Sequence, residues 1–239
     1  WKMAPALAAG CTLILKPAEQ TPLSALAMGA LAMEAGFPPG VLNIVNGFGE
    51  VAGAALVEHP DVHKIAFTGA TTTGVAIGSQ ALDGMKRLSF ELGGKSPNIV
   101  FPDANLEQAI VGAFNAVFSN MGQNCCAGTR LFLHEDIHDE FLEKLVHMAR
   151  KQVVGDPLKP TTQHGPQISR SQHEKIMGYI EEGQKAGANL VCGGSNPCDQ
   201  GYFVEPTIFT EVSDSMRIAR EEIFGPVLSV MRFSKEEDV

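Results

Sequence analysis

The sequence predicts an α/β protein built on parallel strands. Short apolar runs of strand length alternate with stretches of helical periodicity. The connections between them are brief and rich in Gly, Pro and Asn. No run repeats and no segment is of low complexity, so one or two ordinary packed domains account for the 239 residues.

Residues 11–16 form the first apolar run. Thr21-Pro22 then supplies a cap and a first-turn proline for a helix that Gly36 closes ahead of Pro38-Pro39. Residues 41–45 are the second strand, with Asn46-Gly47-Phe48-Gly49 as a turn and a helix running to about Glu58, where His59-Pro60 ends it. Residues 64–67 give a third strand, a Gly-bounded turn and a helix to about Ala81 follow, and residues 86–90 give a fourth strand. The pair Gly93-Gly94 permits a sharp chain reversal, which sets the expected boundary between domains 1–93 and 94–239.

Beyond it, residues 98–101 read as a strand, and Leu106, Ile110, Ala113, Phe114, Val117 and Phe118 fall on one helix face. Residues 130–133 are a strand, and Phe141, Leu142, Leu145, Val146 and Ala149 mark another helix. A polar, Pro-containing connection over 155–166 leads to a helix over about 169–186. Strands near 189–192 and 203–209 precede the segment Glu221-Glu222-Ile223-Phe224-Gly225-Pro226-Val227. These apolar stripes are core packing and carry no chemistry.

Composition excludes several classes of function. A formal charge of −9 opposes a nucleic-acid footprint, which needs clustered Lys and Arg. No apolar run reaches the roughly 18 residues of a membrane-spanning helix. Five cysteines, Cys11, Cys125, Cys126, Cys192 and Cys198, are few and odd in number, so a reducing compartment is expected over a disulfide scaffold. His134 and His138 are four apart but straddle a strand-to-helix loop, so no metal site is assigned. The chain opens at Trp1 inside a helical pattern and stops at Val239 in a helix-start composition. Both ends are expected to be cut, and these residues alone are not expected to work as an enzyme.

Two segments fall outside the periodic pattern. Gly122-Gln123-Asn124-Cys125-Cys126-Ala127-Gly128 places adjacent thiols between glycines, and Glu91-Leu92-Gly93-Gly94-Lys95 sets a carboxylate beside two more. A thiolate can attack a carbonyl, and a carboxylate can take the proton of the water that cleaves the resulting thioester. Taken alone, each thiol fits inert packing and Glu91 fits a strand end. A third segment, Phe67-Thr68-Gly69-Ala70-Thr71-Thr72-Thr73-Gly74, follows a strand and opens a helix, as a phosphate-binding turn does, though its spacing is not G-x-G-x-x-G.

Together these segments resemble the active-site signatures of the NAD(P)-dependent aldehyde dehydrogenases, over the whole chain but only the middle half or so of a family member. The resemblance implies a Rossmann-like cofactor domain followed by an α/β catalytic domain. It implies Cys125 as nucleophile, with Cys126 as the competing choice, and Glu91 as general base. It assigns cofactor contacts to Lys16, Glu19, Gly69, Ala70 and Gly74, with Ala70 where a serine is often found, and to Glu222 and Phe224 at the nicotinamide end. A carboxylate at Glu19 favours NAD, while Lys16 beside it keeps NADP open. It also implies an aldehyde substrate, a homo-oligomer, and the cytoplasm or an organelle matrix. A coenzyme A-acylating enzyme and an inactive structural relative are the alternatives, and the aldehyde is not specified.

Overall fold

The computed structural model describes all 239 residues, which divide into two compact units, Trp1–Leu92 and Gly93–Val239.

In the first unit, α1 (Met3–Ala8) leads to β1 (Leu13–Leu15), and α2 (Leu23–Glu34) to β2 (Leu42–Ile44). β1 and β2 pair in parallel, Leu13 opposite Leu42. The helix expected to run to Glu58 instead opens as a π turn over Gly49–Gly53, in which the Phe48 carbonyl accepts from Val51, Ala52 and Gly53, and becomes α3 (Ala54–Glu58). β3 (Lys64–Thr68), α4 (Thr71–Ala81) and β4 (Arg87–Glu91) complete a second parallel pair, Thr68 opposite Glu91. Parallel pairing follows from the helical crossovers, since a strand returning in the same direction needs one. Only Val57, Gly74 and Ala81 are fully buried in this unit, and Leu23, Leu31 and Met33 of α2 stand exposed.

The second unit is a five-stranded sheet in the order β5-β6-β9-β8-β7, from β5 (Pro97–Val100), β6 (Arg130–His134), β7 (Asn189–Cys192), β8 (Thr207–Thr210) and β9 (Val227–Phe233). β7 alone runs antiparallel, at the edge. α5 (Leu106–Phe118) and α6 (His138–Arg150) cover one face, α7 (Arg170–Lys185) and the short α8 (Arg217–Arg220) the other. Strand alternation sorts the core: Leu131, Leu133, Ile208, Leu228 and Val230 pack with α5 and α6, whereas Phe209, Val227 and Met231 pack with Ile176, Ile180 and Ile218. Asn105 and Ser169 cap α5 and α7 by accepting from the amides of Gln108 and Gln172.

Two strand expectations differ from the structure. The strand expected over 203–209 is β8, which begins only after Pro206; proline has no donor for the ladder, and Phe203 and Val204 are buried in irregular backbone instead. β9 was not expected at all, yet it lies between β6 and β8 as a central strand. Burial on both faces removes the alternation that betrays a strand.

Candidate active site

The Cys125 loop is held at both ends. Asn120 and Met121 have φ of +51° and +56°, and Gly122 follows at +71°. A Cβ on Gly122 would lie 2.1 Å from the Gly225 carbonyl oxygen, so the chain presses on that backbone with no room for a side chain. Gln123 fastens the next step: its Oε1 accepts from Ile168 N–H at 3.0 Å, and Asn120 Nδ2 donates to its carbonyl at 2.9 Å. Downstream, Gly128 N–H donates to the Ala116 carbonyl at 3.1 Å, and Arg130 starts β6.

Within this frame the two thiols differ. Asn124 Oδ1 accepts from the Cys126 amide at 3.3 Å and from the Cys126 sulfur at 3.2 Å. Cys125 is half-buried, and neither its sulfur nor its N–H has a partner in the protein. A free sulfur beside a free backbone donor is what a nucleophile with an oxyanion to stabilise requires. Asn124 tethers the other thiol.

Glu222 and Phe224 belong to the same unit. A Cβ on Gly93 would lie 2.0 Å from Glu222 Oε2, so the glycine makes room for this carboxylate. Glu222 Oε1 is buried with no hydrogen-bond partner. A buried acceptor without a donor suits a ligand hydroxyl, such as a ribose supplies. Phe224 has φ +58°. Gln172 Nε2 donates to the carbonyls of Ile223 and Phe224 at 2.9 and 3.0 Å. Just before them, Arg217 binds both Glu182 and Glu221, and Tyr179 donates to Glu221 at 2.6 Å. Those bonds, the Arg217 guanidinium first, push the Glu221 carboxyl down to about 2.

In the first unit the candidates cluster where parallel strands end, the usual place for a ligand on an α/β sheet. Lys16 follows β1; its Nζ donates to the carbonyls of Pro17 at 2.7 Å and Gly47 at 3.1 Å and lies 3.7 Å from Glu19. Glu19 Oε1 accepts from Gly49 N–H at 2.9 Å; backbone amides and then Lys16 hold this carboxyl below its ordinary value. Gly69 N–H donates to the Glu91 carbonyl at 3.1 Å, which ties the turn after β3 to the end of β4. α4 starts from Ala70 with no side-chain cap, so its amides remain open to an anion. Gly74 is different in kind: it is buried against Leu92, whose Cδ2 would lie 2.8 Å from a Cβ, and serves helix-to-strand packing.

Two lysines have surroundings that their place in the sequence does not announce. Lys2 donates to Thr68 Oγ1 at the end of β3. Lys95 carries a buried Nζ without a partner, and burial, then the nearby Arg130 charge, push it down to about 8. A lone lysine in a sequence has no signature; only a pattern of burial shows it.

The aldehyde dehydrogenase family model matches residues 1–239. An aldehyde dehydrogenase of Enchytraeus buchholzi is 54% identical over 239 residues, covering 100% of this chain and 48% of that protein. The mitochondrial aldehyde dehydrogenase of Rattus norvegicus is 53% identical, with coverage of 100% and 46%. Among solved structures, the NAD+ complex of an aldehyde dehydrogenase from Bacillus cereus superposes with a TM-score of 0.97 at 51% identity, covering 100% of this chain and 48% of that one. The chain thus spans about half the length of the relatives it matches.

Proposed function

This chain belongs to the aldehyde dehydrogenase family, and we propose on that premise that it carries the chemistry for oxidising an aldehyde to a carboxylic acid with NAD. The first unit is read as the larger part of a dinucleotide-binding domain and the second as the larger part of a catalytic domain. The observation that carries the reading is the unpartnered sulfur and N–H of Cys125 beside a tethered Cys126.

The proposed sequence begins with the Cys125 thiolate attacking the aldehyde carbon. The carbonyl oxygen becomes an oxyanion that the Cys125 N–H can meet. NAD, when bound, supplies the acceptor for the hydride lost from that carbon. Cys125 is then left as a thioester. Glu91 takes a proton from water, the resulting hydroxide adds to the acyl carbon, and collapse releases the acid and restores the thiolate.

Glu222 fits NAD through its orphaned oxygen, Glu19 and Lys16 through a carboxylate and an ammonium at the end of β1, and Gly69-Ala70 through the open start of α4. Gly74 supports that helix start by its packing. Support for NAD over NADP is the Glu19 carboxylate, whose charge would repel a 2′-phosphate; the Bacillus cereus relative was solved with NAD+. Glu91 argues against acyl transfer to coenzyme A, which needs no base for water. For these residues by themselves, the sparse burial of the first unit argues against turnover. Activity and oligomerisation are assigned to a protein of family length.

The test uses a chimera in which these 239 residues replace the matched half of the Bacillus cereus enzyme. Quenching the reaction with aldehyde and NAD and mapping peptides by mass should place the acyl group on Cys125. Acyl adducts confined to Cys126 would refute the mechanism.

A further inference from the structure

A cavity of about 620 Å³ in the second unit is lined by Lys95, Arg130, Asp214, Ser215, Ala219 and Arg220. Lys95 lies just ahead of β5, Arg130 is the first residue of β6, Asp214 and Ser215 follow β8, and Arg220 ends α8. None of these residues enters the proposed aldehyde chemistry. Three basic residues and one acidic residue line it, in a chain of net charge −9.

These charges are not spent on one another. No ion pair involves Lys95, Arg130, Asp214 or Arg220. The buried Lys95 Nζ has no hydrogen-bond partner. Arg130 uses only its Nε, donating to the Lys95 carbonyl at 3.0 Å, so both of its terminal nitrogens stay free. Burying an ammonium near a guanidinium with no hydrogen-bond acceptor is unfavourable by desolvation and repulsion, which the charge of nearby Glu222 offsets only in part. An oxyanion removes both penalties, because charge-assisted hydrogen bonds from a guanidinium and an ammonium are the strong ones. The cavity is also the size of a small-molecule pocket rather than of a bare ion.

We propose that this cavity is a binding site for the oxyanion of a small molecule, a carboxylate or a phosphate, held by Lys95, Arg130 and Arg220. The Ser215 hydroxyl can donate to the same ligand. Asp214, unpaired at the same cavity, accepts from a hydroxyl or amine elsewhere on it. The site does not depend on the aldehyde reading, since none of its residues takes part in that reaction.

Calorimetric titration of the 239-residue chain and of the chimera at low ionic strength, with inorganic phosphate and with acetate in separate runs, tests the proposal. Saturable binding of at least one anion by both proteins is expected. Arg220→Glu should weaken it at least about tenfold, as loss of a charged partner does, and Lys95→Met should weaken it as well. Arg220 is exposed, so its replacement leaves folding intact; Arg87→Glu in the first unit should change nothing. No saturable binding, or binding indifferent to both variants, overturns the proposal. So does binding to the isolated chain that is lost in the chimera, because the cavity is then filled from within the enzyme.

Discussion

The side-chain amide of Gln172, in the first turn of α7, donates to the carbonyl of Phe224 at 3.0 Å, the residue whose φ is +58°. A left-handed aromatic residue costs roughly 1–3 kcal/mol, which its surroundings must offset. Gln172 also holds Ile223, and the Glu182–Arg217–Glu221 network anchors the residues just before. Helix α7 therefore sets the backbone from which Glu222 and Phe224 project.

Gln172→Ala should loosen that segment. In the chimera the KM for NAD should rise several-fold, while the rate of acyl transfer to Cys125 from a saturating aldehyde and NAD mixture changes much less. An equal fall in both would show that α7 supports the fold and not the cofactor residues.

Two glycine replacements should separate cofactor binding from stability. Gly93→Ala meets only the end of the Glu222 side chain, which can swing away. NAD affinity measured by fluorescence quenching should fall, with little change in melting temperature. Gly122→Ala meets the Gly225 backbone and keeps a positive φ, so it should destabilise by roughly 1–3 kcal/mol. Reversed outcomes would mean that the Gly93–Glu222 contact is structural.

Much of this was legible in the sequence for a physical reason. Helices such as α5 and α7 announce themselves by apolar periodicity and caps at Asn105 and Ser169. The glycines around Cys125 stood out because nothing in helix or strand requires them. β9 was hidden because a strand buried on both faces has no alternation. Gly74 stands out in sequence as a turn glycine, and its contact with Leu92 appears only in the packing. The unsatisfied atoms of Lys95 and Glu222 are products of tertiary packing and leave no trace in sequence order.

Stability should rise with pH across the alkaline range because of Lys95. Its folded value of about 8 lies below the ordinary 10.5, so between these the unfolded chain holds a proton that the native state has lost. Arg130 and Lys175 repel its charge and Glu222 attracts it, with burial as the larger cause. Denaturant midpoints of the 239-residue chain should climb from about pH 8 toward about 10, and Lys95→Met should flatten the climb. An identical slope in the variant would place the titration elsewhere.

Glu91→Gln should spare hydride loss and impair release of the acid. Rapid mixing of the chimera with aldehyde and NAD should still give a burst of NADH followed by slow turnover. Absence of a burst would move Glu91 to an earlier step, in forming the thiolate.

Paired substitutions decide which of the two adjacent thiols attacks. Steady-state NADH formation by the chimera should be abolished by Cys125→Ala, falling by at least about 10³-fold as loss of a covalent nucleophile does. Cys126→Ala, which removes only the thiol that Asn124 holds, should retain most of the activity. Survival of the Cys125 variant, or equal loss in both, would contradict the assignment.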